Sequence, residues 1–161
     1  MTEMAELGRS IVIGTGNSFR SDDAVGLAAA ACLLEHDMPP GIEVIVSGTD
    51  EFGLIELFKK AENVVIIDAV STGRPPGTVS VFDLDKVNMV SRSSNVNLHG
   101  FGLADTIVLA EALGISPNIT IVGVEPQSTS SGKHLTPLIT SKLPVAVQTV
   151  LSLIRGISGL S

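Results

Sequence analysis

Tryptophan and tyrosine are absent from the 161 residues, and five phenylalanines are the only aromatic side chains. A core must therefore be assembled from Ala, Val, Ile and Leu, which suits aliphatic strands covered by small-faced helices. Cysteine occurs once, as Cys32 within the apolar stretch Leu27 to Leu34, which excludes a disulfide framework and a multi-cysteine metal site. A reducing, cytoplasmic setting is the expectation. Cations are scarce: 10 Lys and Arg stand against 17 Asp and Glu, for a formal charge of -7, and no local basic cluster offsets it. Such a surface repels phosphate backbones and anionic lipid, so neither nucleic acid nor membrane is expected as a partner. The N-terminal residues Met1 to Glu6 lack a basic n-region, and no apolar run approaches the roughly 20 residues needed to cross a bilayer. One soluble domain over 1–161, and a monomer, are expected, since 44% hydrophobic content is ample for a single core.

What is present alternates between two periodicities. Ser10 to Gly14 is short, aliphatic and closed by glycine, and reads as a central strand. Ser21, Asp22 and Asp23 offer an N-cap and an acidic first turn to a helix running from Ala24 to Glu35. Pro39, Pro40 and Gly41 break the chain before a strand at Ile42 to Val46 and a short helix at Gly53 to Lys60. A third strand runs from Val64 to Ile67 and ends in Asp68. The turn Pro75-Pro76-Gly77 is too short for a crossover helix, so Val79 to Leu84 reads as an antiparallel edge strand. The polar stretch from Asn88 to Asn97 reads as loop. Leu103, Ile107, Ala110 and Leu113 recur at helical spacing up to Gly114, Ile119 to Val124 is another buried strand, and Thr136-Pro137 opens a C-terminal helical region. Within that region Pro144 predicts a restart or kink. This alternation predicts an α/β fold, a three-layer α/β/α sandwich around a mostly parallel, twisted, five-stranded sheet with one antiparallel edge strand.

In such a sheet the functional loops leave the carboxyl ends of the strands. The loop Gly14-Thr15-Gly16-Asn17 after the first strand resembles a dinucleotide fingerprint only superficially. Its third glycine would fall at position 19, which is Phe, and Asp22 and Asp23 occupy the place of a pyrophosphate. No Walker loop, His-Glu-x-x-His or Gly-x-Ser-x-Gly occurs. Carboxylates and an imidazole at a rim suit a borderline divalent cation instead, and Asp23, Asp68 and His99 supply that set. Each residue also has a plain structural role available: Asp23 in a helix cap, Asp68 as a loop anchor, His99 as a surface histidine. His36 and His134 have no motif around them and read as surface or structural residues; Glu125, ending a strand, reads as a loop holder or a cleft residue.

An ordered set of motifs changes that balance. It comprises Gly14-Thr15-Gly16-Asn17 with Ser21-Asp22-Asp23-Ala24-Val25-Gly26, Ser47-Gly48-Thr49, Ile67-Asp68-Ala69-Val70 and Pro75-Pro76-Gly77-Thr78. Leu98-His99, Gly102-Leu103-Ala104 and Val122-Gly123-Val124-Glu125-Pro126 complete it. From about Ile11 to Leu153 the chain thus resembles the hydrogenase maturation endopeptidases of the HyaD/HybD/HycI type. The resemblance implies a metal site at Asp23, Asp68 and His99, which also carry the catalytic role, and substrate recognition at Gly48 and Thr49, with Asp50 as a further carboxylate beside them. It implies removal of a C-terminal propeptide from the nickel-loaded precursor of a hydrogenase large subunit. The nickel is expected to be presented by that substrate, with Zn²⁺ or Cd²⁺ able to substitute, and the bond to be cut by a water activated either by the metal or by a carboxylate. Two departures stand out: glutamate is common in the family where Asp23 stands, and Gly100 replaces the aspartate that usually follows the histidine, so His99 must be oriented by another group, such as a backbone carbonyl or Ser94. The competing readings are a flavodoxin-like small-ligand or metal-binding module without peptidase activity, and a peptidase of the same fold with a different client.

Overall fold

The computed structural model describes residues 9–47, 51–84, 97–98 and 103–159, with the backbone alone at 51, 52, 97 and 98. In chain order the elements are β1 (Ser10–Gly14), a 3-10 turn (Ser21–Ala24), α1 (Val25–Leu33), β2 (Ile42–Val46), α2 (Glu51–Lys59), β3 (Asn63–Ser71) and β4 (Val79–Asp83). They are followed by β5 (Asn97–Leu98), α3 (Leu103–Ala112), β6 (Asn118–Val124) and α4 (Pro137–Ser158). The main sheet has the order β2-β1-β3-β6-β4, parallel throughout except for β4, which runs antiparallel to β6 at the edge. The two-residue β5 is added antiparallel to the end of β3, pairing Val70 with Leu98 and Ser71 with Asn97. The expected five-stranded frame is therefore present, with one short addition at the end of a stretch read as loop.

Period-two patterning divides the core between the two faces of the sheet. Ile11, Ile13, Val64, Ile66, Ile119 and Ile121 face Leu54 and Phe58 of α2 and Leu103, Ile107 and Ala110 of α3. Val12, Val65, Ile67 and Val122 face Ala29 and Leu33 of α1 and Val147, Val150 and Ile154 of α4. All five residues of β1 and the middle seven of β3 are buried, as strands covered on both sides must be.

Three local readings are corrected. Asp68 does not end its strand: β3 continues to Ser71, because β6 and β5 go on pairing with it after β1 has stopped at Gly14 opposite Ile67. Pro144 neither ends nor restarts the last helix, which runs through it; its side chain is exposed, leaving the helix backbone open to water where the proline cannot donate. The expectation that no stretch is long and apolar enough to cross a bilayer also fails, since α4 meets that test by length and composition. Its apolar residues are interleaved with Thr140, Ser141, Lys142, Gln148 and Arg155, and Ile139, Ala146, Val147, Val150 and Ile154 are buried against the rest of the molecule. α4 is an amphipathic core helix, packed against α1.

From β1 the chain turns to β2 on one side and then crosses to β3 on the other, so the topological switch falls between β1 and β3. α1 lies unusually close to that point. A Cβ on Gly26 would overlap the carbonyl oxygens of Ile67 and Thr15, and one on Gly14 would overlap the Gly26 carbonyl and the Ala30 methyl. The start of the helix thus rests directly on the ends of the two strands, and glycine is what permits the approach.

Candidate functional site

The loop from Thr15 to Ala24 connects β1 to that closely docked helix. Gly16 has φ 147°, and a Cβ there would overlap the Asp23 carbonyl, so the loop folds back on itself. The return brings the Asn17 N–H to Oδ2 of Asp23 at 3.0 Å, while Oδ1 of Asn17 accepts the Phe19 N–H at 2.9 Å. Asp23 is buried as a result.

Asp68 is 2% exposed and lies one residue past the last β1 partner of β3, opposite Gly123 of β6. Strand alternation places its side chain on the face shared with Ile66 and Val70, the face covered by α2 and α3. The Ala69 N–H donates to Oδ1 of Asp68 at 2.9 Å. Burial holds the Asp68 carboxyl well above the usual carboxylate range, and the nearby Asp23 charge raises it further, with the Ala69 N–H and the Thr15 hydroxyl opposing in part. Two carboxyl groups distant in sequence therefore share one poorly solvated position at the switch point. Carboxylate oxygens of this kind are donors that a cation of borderline or hard character accepts.

The structure brings together Asp23 and Asp68 of the expected set. His99, with Gly100 and Ser94, lies outside the described residues, as do Gly48, Thr49 and Asp50. Among the described residues no group of three metal-ligating side chains occurs. The chain re-enters the described structure at α2 and α3, the two helices on the Asp68 face.

Sequence reasoning missed Asp22. It is fully buried, and its carboxylate accepts the N–H groups of Gln127 and Ser128, each at 3.0 Å, and of Thr136 at 2.7 Å, together with the Thr136 hydroxyl. The helix-cap reading of Ser21-Asp22-Asp23 is therefore corrected. Neither the 3-10 turn nor α1 has a side-chain cap, Ser21 sits at φ 51° with its hydroxyl donating to the Ser130 carbonyl, and Asp22 serves the entry to α4 instead. Thr136 likewise makes no side-chain cap of its own helix, its hydroxyl being engaged by Asp22. The available signal was the doubling of the acid, since one cap needs one carboxylate.

Glu125 holds a loop. Its carboxylate accepts the Thr72 N–H and hydroxyl and the Gly73 N–H, fastening the β3–β4 connection to the end of β6. His36, whose Nδ1 lies 3.1 Å from the Cys32 carbonyl, and His134 are both exposed, and Cys32 is a half-buried free thiol in α1.

The α/β/α fold built on this mostly parallel sheet is shared with a class of small endopeptidases of known structure. The hydrogenase maturating endopeptidase HybD from E. coli superposes with a TM-score of 0.81 at 27% identity, over 92% of this chain and 93% of that one. The [NiFe] hydrogenase maturation protease HybD from Thermococcus kodakarensis does so with 0.75 at 26% identity, over 91% and 99%. The family model for hydrogenase maturation proteases matches residues 29–153. The chain belongs to the hydrogenase maturation protease family. Among relatives, the hydrogenase expression/formation protein HupD of Thiocapsa roseopersicina is 30% identical over 88% of this chain, which spans 65% of that protein's length. The hydrogenase 2 maturation protease of Escherichia coli (strain K12) is 29% identical over 91% of both chains.

Proposed function

We propose that this chain is an endopeptidase that removes the C-terminal propeptide from the precursor of a nickel-containing hydrogenase large subunit, and that Asp23, Asp68 and His99 recognise the nickel carried by that substrate. The observation that supports this reading is that Asp23 and Asp68 are both buried at the switch point and that the Asp23 charge disfavours ionisation of Asp68, a repulsion that a bound cation relieves. A precursor that already holds nickel on its own cysteines supplies that cation, whereas an unloaded precursor leaves the repulsion in place. Metal loading then acts as the specificity check. The water attacking the scissile carbonyl is activated either by the metal or by one of these carboxylates acting as general base. Zn²⁺ or Cd²⁺ would take the same oxygen and nitrogen donors in the absence of substrate. Gly48, Thr49 and Asp50, in the segment leading into α2, belong to the proposed substrate-binding edge. The setting proposed is cytoplasmic, with the enzyme a monomer.

Incubating the protein with nickel-loaded and nickel-free precursor, and weighing the products by mass spectrometry, tests the reading. Shortening of the loaded form alone is expected. An intact loaded precursor would overturn the function, and equal cleavage of both forms would overturn nickel recognition. The flavodoxin-like alternative requires the loaded precursor to survive.

A further inference from the structure

Phe19 is the most exposed large apolar side chain among the described residues, at 67% of its surface, yet its backbone is fixed on both sides. Its N–H donates to Asn17 Oδ1 at 2.9 Å and its carbonyl accepts the Gly132 N–H at 2.9 Å. The next residues continue the attachment: Arg20 bridges to Gly132, its Nε donates to the Thr129 carbonyl at 3.1 Å, and the Ser21 N–H donates to the Gly132 carbonyl at 3.0 Å. The ring is thus presented on a rigid support, so burying it against another molecule costs little ordering of the loop. Asn17 links this support to the site, because its N–H holds Asp23 Oδ2 while its side chain holds the Phe19 N–H.

On the surface of the two paired segments, 17–21 and 128–133, the exposed charged residues are both cations. Arg20 and Lys133 are both exposed, next in sequence to Phe19 and to Gly132 on the two segments that pair there. Among the described residues the ion pairs are Arg9 with Glu43 and Lys59 with Glu56, so neither Arg20 nor Lys133 has a carboxylate partner there. In a protein of net charge -7, an exposed aromatic ring on paired segments whose exposed charges are two cations is complementary to an acidic, partly apolar surface.

We infer that Phe19, Arg20 and Lys133 form a docking ridge for a segment of the client protein that carries an apolar side chain next to carboxylates. The inference rests on the endopeptidase reading for the identity of the client, but the ridge is a binding element and is measured as one. No residue of the ridge takes part in bond cleavage.

The test uses the full-length protein and nickel-loaded precursor, with affinity measured by calorimetry and cleavage measured separately. Phe19→Ser and Lys133→Glu are suitable variants: Phe19 makes its own hydrogen bonds through its backbone, and the Lys133 side chain is exposed, so the melting temperature should not move. Each should weaken precursor binding about tenfold and raise KM by the same factor, leaving kcat at saturation unchanged. Lys133→Glu should also flatten the dependence of affinity on salt. Val145→Ser, on the exposed side of α4, should change neither constant. Unaltered affinity in both ridge variants, or a loss confined to kcat, overturns the ridge. Wild-type protein that binds precursor without cutting it overturns the peptidase reading while the affinities still decide the ridge; failure of the wild type to bind overturns both.

Discussion

The Asp22 carboxylate accepts the Thr136 N–H at 2.7 Å across 114 positions of sequence, joining the turn that carries Asp23 to the first residues of α4. Together with the N–H groups of Gln127 and Ser128 this makes the loop after β1 and the loop after β6 one unit. Asp23 therefore owes its position to two supports, the docked start of α1 below it and the β6–α4 loop beside it.

Asp22→Ala should be strongly destabilising. It strands three N–H donors and a hydroxyl, and the loss of a buried carboxylate with this many hydrogen bonds costs on the order of 3 kcal/mol. Urea unfolding at neutral pH measures it. A change below about 1 kcal/mol would show that water replaces the carboxylate and that the two loops are not coupled through it.

Asp68→Asn should separate stability from activity. An acid whose folded pKa is raised binds its proton more tightly folded than unfolded, so its ionisation opposes folding. The stability it withholds is nil below the ordinary carboxylate pKa of about 4 and grows as pH rises through the raised value. The variant should accordingly melt higher than the wild type at pH 7, with the difference vanishing near about pH 4, while precursor cleavage falls about a hundredfold or more. A variant that melts lower at pH 7 would contradict the direction assigned to Asp68.

The same proton competes with a cation. Without substrate, Ni²⁺, Zn²⁺ or Cd²⁺ should raise the melting temperature of the wild type more at pH 7 than at pH 5, since the ligand must be deprotonated. In Asp68→Asn the rise should disappear at both pH values. Equal shifts in the two proteins would place the ion elsewhere.

Gly26→Ala tests the docking of α1. Its added methyl would run into the backbone carbonyls of Ile67 and Thr15, neither of which is a flexible side-chain end, so the helix must lift from the sheet. A loss of about 1–3 kcal/mol is expected from such overpacking, with reduced cleavage because Asp23 moves with the helix start. Stability and activity both within error of the wild type would mean the contact relaxes without consequence for the site.

His99→Ala should abolish processing of loaded precursor and leave the melting temperature of the metal-free protein unchanged. Undiminished cleavage would remove His99 from the mechanism. Asp23→Ala, by contrast, should lose activity and also some stability, since it leaves the Asn17 N–H without its carboxylate partner, about 1 kcal/mol.

Much of this arrangement is legible in the order of residues. Aliphatic runs closed by Gly14 or followed by Asp68 mark buried parallel strands, the short turn before Val79 marks an antiparallel edge, and doubly wound connectivity sends the loop that carries Asp23 to the carboxyl-end side of the sheet, where β3 carries Asp68. These are local or topological matters, settled by side-chain periodicity and by the handedness of the crossovers. The tertiary structure alone decided that Asp22 supports a distant loop rather than capping its own helix, that β3 runs on past Asp68, and that α4 continues through Pro144. Each depends on a partner far away in the chain: the free N–H groups of residues 127, 128 and 136, the continued pairing of β6 and β5, and the sheet surface under α4. A carboxylate adjacent to a helix start has a local bond within reach from sequence, but it takes the set of donors that packing delivers, and only folding determines which donors those are.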